Sequence, residues 1–121
     1  MRTALLAGFF TFMGIALAHH GTAAFDTTKM VTVTGTVKEF DYVNPHVQIY
    51  FTVKNEKGEM EDWQGELTAP PKLNRAGWNK NTLKPGDSIT VSGFATKNGG
   101  HTLWIRKLIS PTGESLQLFE D

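Results

Sequence analysis

From Val31 to Ile109 apolar residues recur at every second position, and the runs are cut by proline, glycine and asparagine. Alternation of this kind marks half-buried strands, because successive side chains leave a strand on opposite faces. Val31, Val33, Gly35 and Val37 alternate with Thr32, Thr34, Thr36 and Lys38 in a first strand rich in β-branched residues. Asn44-Pro45 breaks it, since proline cannot donate to a ladder and restricts the residue before it. A second strand then sets Val47, Ile49, Phe51 and Val53 on one face and His46, Gln48, Tyr50 and Thr52 on the other.

The turn Asn55-Glu56-Lys57-Gly58 specifies a register. A three-residue loop ending in a left-handed glycine sets Asn55 opposite Glu59. Counting back pairs Phe51 with Trp63 and Val47 with Leu67 on the apolar face. The other face then pairs Tyr50 with Gln64 and Gln48 with Glu66. A slip of one residue would set apolar against polar positions throughout.

Ala69-Pro70-Pro71 ends the third strand, and Pro71 to Trp78 reads as a short helix with proline in its first turn. Leu83-Lys84-Pro85-Gly86-Asp87 is a turn with proline and glycine in type II order. Ile89 to Ala95 make a fourth strand and Thr102 to Ile109 a fifth, with Leu116 to Phe119 offering a short sixth. Three strands, a helix, then two or three strands is the layout of an oligonucleotide/oligosaccharide-binding (OB) barrel. The expected fold class is therefore all-β: a small OB-like β-barrel of five to six strands, with one short helix between strands 3 and 4. A small open sandwich is the competing architecture.

With 121 residues the chain holds one domain. It has no cysteine, so thiolate metal sites, disulfides and cysteine nucleophiles are excluded. Twelve basic and twelve acidic side chains balance, giving no basic surface for nucleic acid.

The first residues do not belong to the barrel. Arg2 supplies a positive start, Ala4 to Leu17 is almost wholly apolar, and Ala16-Leu17-Ala18 has the small-x-small pattern of a cleavage site. The uncharged stretch is short against the roughly 20 residues of a spanning helix. The expected organisation is a signal peptide at 1–18, an N-terminal arm at 19–29 and the barrel at 30–121. The mature protein is then periplasmic, monomer-sized and without a stable membrane anchor, and it begins His19-His20-Gly21.

Six landmarks resemble a family of small exported bacterial proteins, domain-of-unknown-function family DUF6152. They are "AHHG" at the processing site, "FD" at Phe25-Asp26, "VTGTV" from Val33, "NPHV" from Asn44, "RAGW" from Arg75 and "LKPGD" from Leu83. The family usually carries another aromatic after "NPHV", where this chain has Gln48-Ile49-Tyr50. The resemblance implies a periplasmic OB-like domain and supplies no activity.

Cleavage before His19 would give that residue a free α-amine beside its own imidazole. The pair chelates a metal, and a second imidazole completes a three-nitrogen histidine brace. Nitrogen-rich tetragonal sites of this kind favour copper(II). His46 is the expected partner, just after the proline turn on the outward face, and Glu66 is its diagonal neighbour, about 7–8 Å away by Cα. Glu66 would orient the imidazole or serve as a weak oxygen ligand. His20 offers another mode, through the amine, its deprotonated amide and its ring. The expected metal set is thus His19, His20, His46 and Glu66, with copper as the cofactor.

Each of these residues also has an ordinary reading: solvated histidines in a tail, a turn histidine bonded to backbone, a solvated carboxylate. The alternative function is a metal-free module in which Gln48 and Tyr50 bind a small ligand or a periplasmic protein. Trp78 is expected to cap the barrel bottom, Trp104 has no assigned face, and His101 is expected to be exposed in a turn. An enzyme is the less favoured class. No phosphate loop or Ser/His/Asp spacing is present, and Glu39 and Asp41 are read as pointing apart. Redox chemistry at bound copper stays open.

Overall fold

The computed structural model describes residues 21–118. After a 3₁₀ turn at Gly21–Ala24 come β1 (Phe25–Asp41), β2 (Gln48–Lys54) and β3 (Met60–Glu66). Helix α1 (Pro70–Arg75), β4 (Ser88–Thr96), β5 (Thr102–Ile109) and β6 (Ser115–Leu116) follow. The sheet runs β3-β2-β1-β4-β5-β6, and β3 also pairs parallel with β5. That last pairing closes the five long strands into an OB-like barrel, which leaves few open edges.

The hairpin has the register its turn demands. Gly58 has φ 78°, and Asn55 N donates to Glu59 O at 2.8 Å. Phe51 then pairs with Trp63, Tyr50 with Gln64 and Gln48 with Glu66. At the second turn Asp87 N donates to Lys84 O at 3.0 Å around Gly86, whose φ of 93° meets the type II requirement.

One core fills the barrel. Phe51, Ile49, Val37, Val91, Ile89, Leu103 and Leu108 are its fully buried side chains from the strands, joined by Val47, Leu73 and Leu83. Two bulges keep residues of opposite parity on that inner face. Pairing shifts between Val37 and Glu39, so Val37 is buried and Phe40 still packs on the core. It shifts again opposite Ser92–Gly93, where Arg106 is the extra residue and both Ile105 and Leu108 are buried.

Three boundaries differ from expectation. The arm expected through Lys29 is strand from Phe25 onward, because Phe25 pairs with Thr96 and is buried at 8% exposure. The helix covers Pro70–Arg75 instead of Pro71 to Trp78. Gly77 takes φ 92°, and the Gly77 and Trp78 amides bond back to the carbonyls of Asn74 and Leu73, a glycine-terminated helix end. The sixth strand is Ser115–Leu116, paired with Ile109 and Leu108, and Phe119 lies outside the described residues. Trp78 is buried and donates its indole N–H to Gln117 O at 2.9 Å, which ties the helix end to the residue just after the last strand.

Candidate metal and ligand face

The outward residues of β1, β2 and β3 form one polar face. Asp41 pairs with Gln48, and Gln48 with Glu66; beside that row Glu39 pairs with Tyr50, and Tyr50 with Gln64. Gln64 donates its side-chain amide to Gln48 at 2.9 Å, which fixes both amides across the β2–β3 ladder. The strands' alternation puts these groups outside by the same step that buries Ile49, Phe51 and Gly65.

His46 enters this face from the end of the proline turn, where the Asn44–Pro45 peptide is cis. Val47 N donates to Thr68 O at 3.1 Å and Leu67 N to Val47 O at 2.9 Å, so pairing continues ahead of the start of β2 and beyond the end of β3. His46 Nδ1 meets Glu66 Oε1 in direct contact. A carboxylate only accepts, so Nδ1 donates in this contact, and in the tautomer that carries its one proton there Nε2 keeps a lone pair. The His46 side chain is 43% exposed and that of Glu66 27%. This is the outer-shell arrangement of many metal-binding imidazoles, where a carboxylate sets the tautomer and the orientation.

Among the described residues no group of three or more histidines and carboxylates could hold a metal ion. His46 with Glu66 is therefore half a site at most. His19 and His20, and the cleavage motif before them, lie outside the described residues.

Glu39 and Asp41 require a correction. Two residues apart on a strand they share a face, and their carboxyls hydrogen-bond each other. That bond and the Asp41 charge raise the Glu39 carboxyl above its ordinary value. Asp26 shifts the other way, lowered by hydrogen bonds from the Thr28 hydroxyl and amide.

Two arrangements escaped the sequence reading. Trp104 is outward and pairs with Glu66 on one side and Phe94 on the other. Phe25 packs on it with ring centroids 6.2 Å apart, Phe94 at 5.8 Å, and the Arg106 guanidinium sits 4.6 Å from the indole centroid. Phe25 is buried here yet takes no part in the core cluster. At the other end of β3, His101 stacks on Trp63 and directs Nε2 to Glu61 at 3.8 Å. His101 is exposed, as expected, but it is held.

The barrel is similar to a small single-stranded DNA-binding protein from Streptomyces coelicolor, with a TM-score of 0.50 at 15% identity. The match covers 68% of this chain and 91% of that one, and at this identity it concerns the fold alone. No curated protein matches the chain. A family model does, over residues 9–104, and the landmarks from "AHHG" to "LKPGD" lie within that span. The chain belongs to that family, the family of unknown function DUF6152.

Proposed function

We propose that this is an exported periplasmic protein that binds copper(II) through its processed N-terminus and His46, with Glu66 orienting the His46 ring. The observation that carries the reading is the His46–Glu66 contact, which presents Nε2 as a ligand on an exposed face. In the proposed site the His19 amine and imidazole supply the other two nitrogens, and His20 assists.

The carboxylates of Glu39, Asp41 and Glu66 favour a cation on this face over the phosphate backbone that the name of the Streptomyces coelicolor protein suggests. A second reading has one observation in its favour. The Gln48–Gln64 amide pair beside half-buried Tyr50 offers fixed donors and acceptors to a small polar ligand.

Copper(II) titration separates the two. Processed protein beginning at His19 is compared with a variant carrying one extra alanine before it, and with His46→Ala. The reading expects a three-nitrogen electron paramagnetic resonance signature that both changes abolish. Equal affinity in all three proteins would overturn it, and no binding in any would leave the ligand module.

A further inference from the structure

Charge is sorted by strand on this barrel, although the totals of the chain balance. β3 carries Glu61, Asp62 and Glu66, and the C-terminal half of β1 carries Glu39 and Asp41, with Lys38 paired to Asp62. β4 has no charged side chain, and those of β5 are Arg106 and Lys107. Lys29 precedes Met30 on β1, and Lys97 directly follows β4. The side built from β4, β5 and the N-terminal half of β1 is therefore basic. Its acid is Asp26, whose carboxylate accepts from the Thr28 amide and hydroxyl and lies in the field of Lys29 and Lys97.

An apolar row crosses the same side. Met30 pairs with Phe94, and Phe94 with Trp104, so three outward side chains line up over two strand spacings, about 10 Å. Met30 is 51% exposed, an unbranched thioether beside two half-buried rings. In the next outward row Thr32 and Ser92 bond to each other at 2.7 Å, and Lys107 pairs with Ser92. In the other direction the chain leaves the ladder between Phe25 and Met30. The gap is an open cavity of about 230 Å³, lined by Lys29 and Lys97 with Asp26, Val31, Ala95 and Thr96. Lys29, Lys97 and Lys107 are all exposed, and they flank the apolar row along the strands.

We infer that this side of the barrel docks on an anionic phospholipid surface, with Met30 entering the headgroup layer and Lys29, Lys97 and Lys107 meeting lipid phosphates. Charge complementarity calls for an anionic partner. The exposed Met30 among these lysines calls for one that also accepts an apolar group between its charges, and a bilayer surface offers both. Single-stranded nucleic acid suits the face less well. It binds by stacking bases on open aromatic faces, whereas the Trp104 indole carries Arg106 and packs against Phe25 and Phe94. Three lysines with one inserted side chain give reversible attachment, not a permanent anchor. The face uses neither His46 nor Glu66, so the inference stands apart from the copper reading.

The test is co-sedimentation of processed protein beginning at His19 with vesicles of phosphatidylcholine alone or mixed with phosphatidylglycerol. Binding to the mixed vesicles only is expected, and it should weaken as salt rises. Each lysine near such a surface strengthens binding roughly fivefold, so Lys29→Gln with Lys97→Gln should cost about 25-fold. Met30→Ser should cost about tenfold, through the lost apolar insertion. Lys80→Gln with Lys84→Gln, in the exposed turn after α1, should bind like the parent. All the substituted side chains are exposed, and melting curves check that each variant folds. No binding to mixed vesicles at low salt would overturn the inference, and so would equal losses in the Lys80 and Lys84 control. Inorganic phosphate should compete no better than chloride at equal ionic strength; specific displacement would mean a single-anion site in the cavity and overturn the surface. An oligonucleotide that binds through the same lysines more tightly than the vesicles, and is indifferent to Met30→Ser, would give the face to nucleic acid instead.

Discussion

The imidazole of His101 lies flat on the indole of Trp63, with ring centroids 4.5 Å apart and planes 5° apart. Phe51 packs on the same indole with ring centroids 6.3 Å apart. The contact stands at the seam that closes the barrel, where Gln64 N donates to His101 O at 2.9 Å. His101→Ala should destabilise the protein by about 1 kcal/mol, the usual worth of a ring pair beyond its buried area. Faster amide exchange at Gln64 and Gly65 should accompany the loss. Equal denaturation midpoints for the two proteins would show that the stack contributes nothing to the seam.

Glu39 and Asp41 give the protein a pH dependence of known sign. The Glu39 carboxyl is raised above its ordinary value by the hydrogen bond to Asp41 and by that residue's charge. A raised acid binds its proton more tightly folded than unfolded, so its contribution is full below the unfolded value and is lost as pH rises through the folded one. Glu39→Gln should therefore melt higher than the parent at pH 7, and the difference should vanish near pH 4. A variant that melts lower at pH 7 would contradict the repulsion.

Two core glycines rank differently on substitution. A Cβ on Gly93 would overlap the backbone carbonyl of Trp104, which cannot move without breaking the β4–β5 ladder. On Gly65 the overlap is with the end of the Ile105 side chain, which can rotate. Gly93→Ala should cost about 3 kcal/mol and Gly65→Ala about 1 kcal/mol, the two ends of the overpacking range. Urea denaturation of both variants reads the order, and a reversal would mean that β4 and β5 approach less closely than this.

What could be read in advance follows the range of the interactions. The Asn55–Gly58 turn and the alternation around it are local, so the β2–β3 register and the nearness of Glu66 to His46 were legible in the chain itself. The bulges were not. Val37 and Phe40, like Ile105 and Leu108, are core residues three apart, and that spacing reads as the end of a strand when only alternation is sought. Phe25 was equally opaque: one apolar residue in a polar segment has no pattern, and its partner Trp104 lies at the far end of the sequence. The Glu39–Asp41 contact was legible and was misjudged, since alternation itself sets residues two apart on a common face.

Glu66 can be tested by itself. Its carboxylate accepts from His46 Nδ1, and removing such a partner from a metal-binding histidine typically lowers affinity 10–100-fold. Glu66→Ala should fall in that range for copper(II). Glu66→Gln should fall less, because an amide oxygen still accepts from Nδ1 and keeps the tautomer. Stability should change little in either variant, as the side chain is on the outer surface and is 27% exposed. Affinity in all forms should drop on acidification, because copper competes with protons for every nitrogen ligand. Calorimetric titration at two pH values gives the series. Equal losses in Glu66→Ala and Glu66→Gln would point to Glu66 as an oxygen ligand whose charge matters, and not as the group that orients the ring.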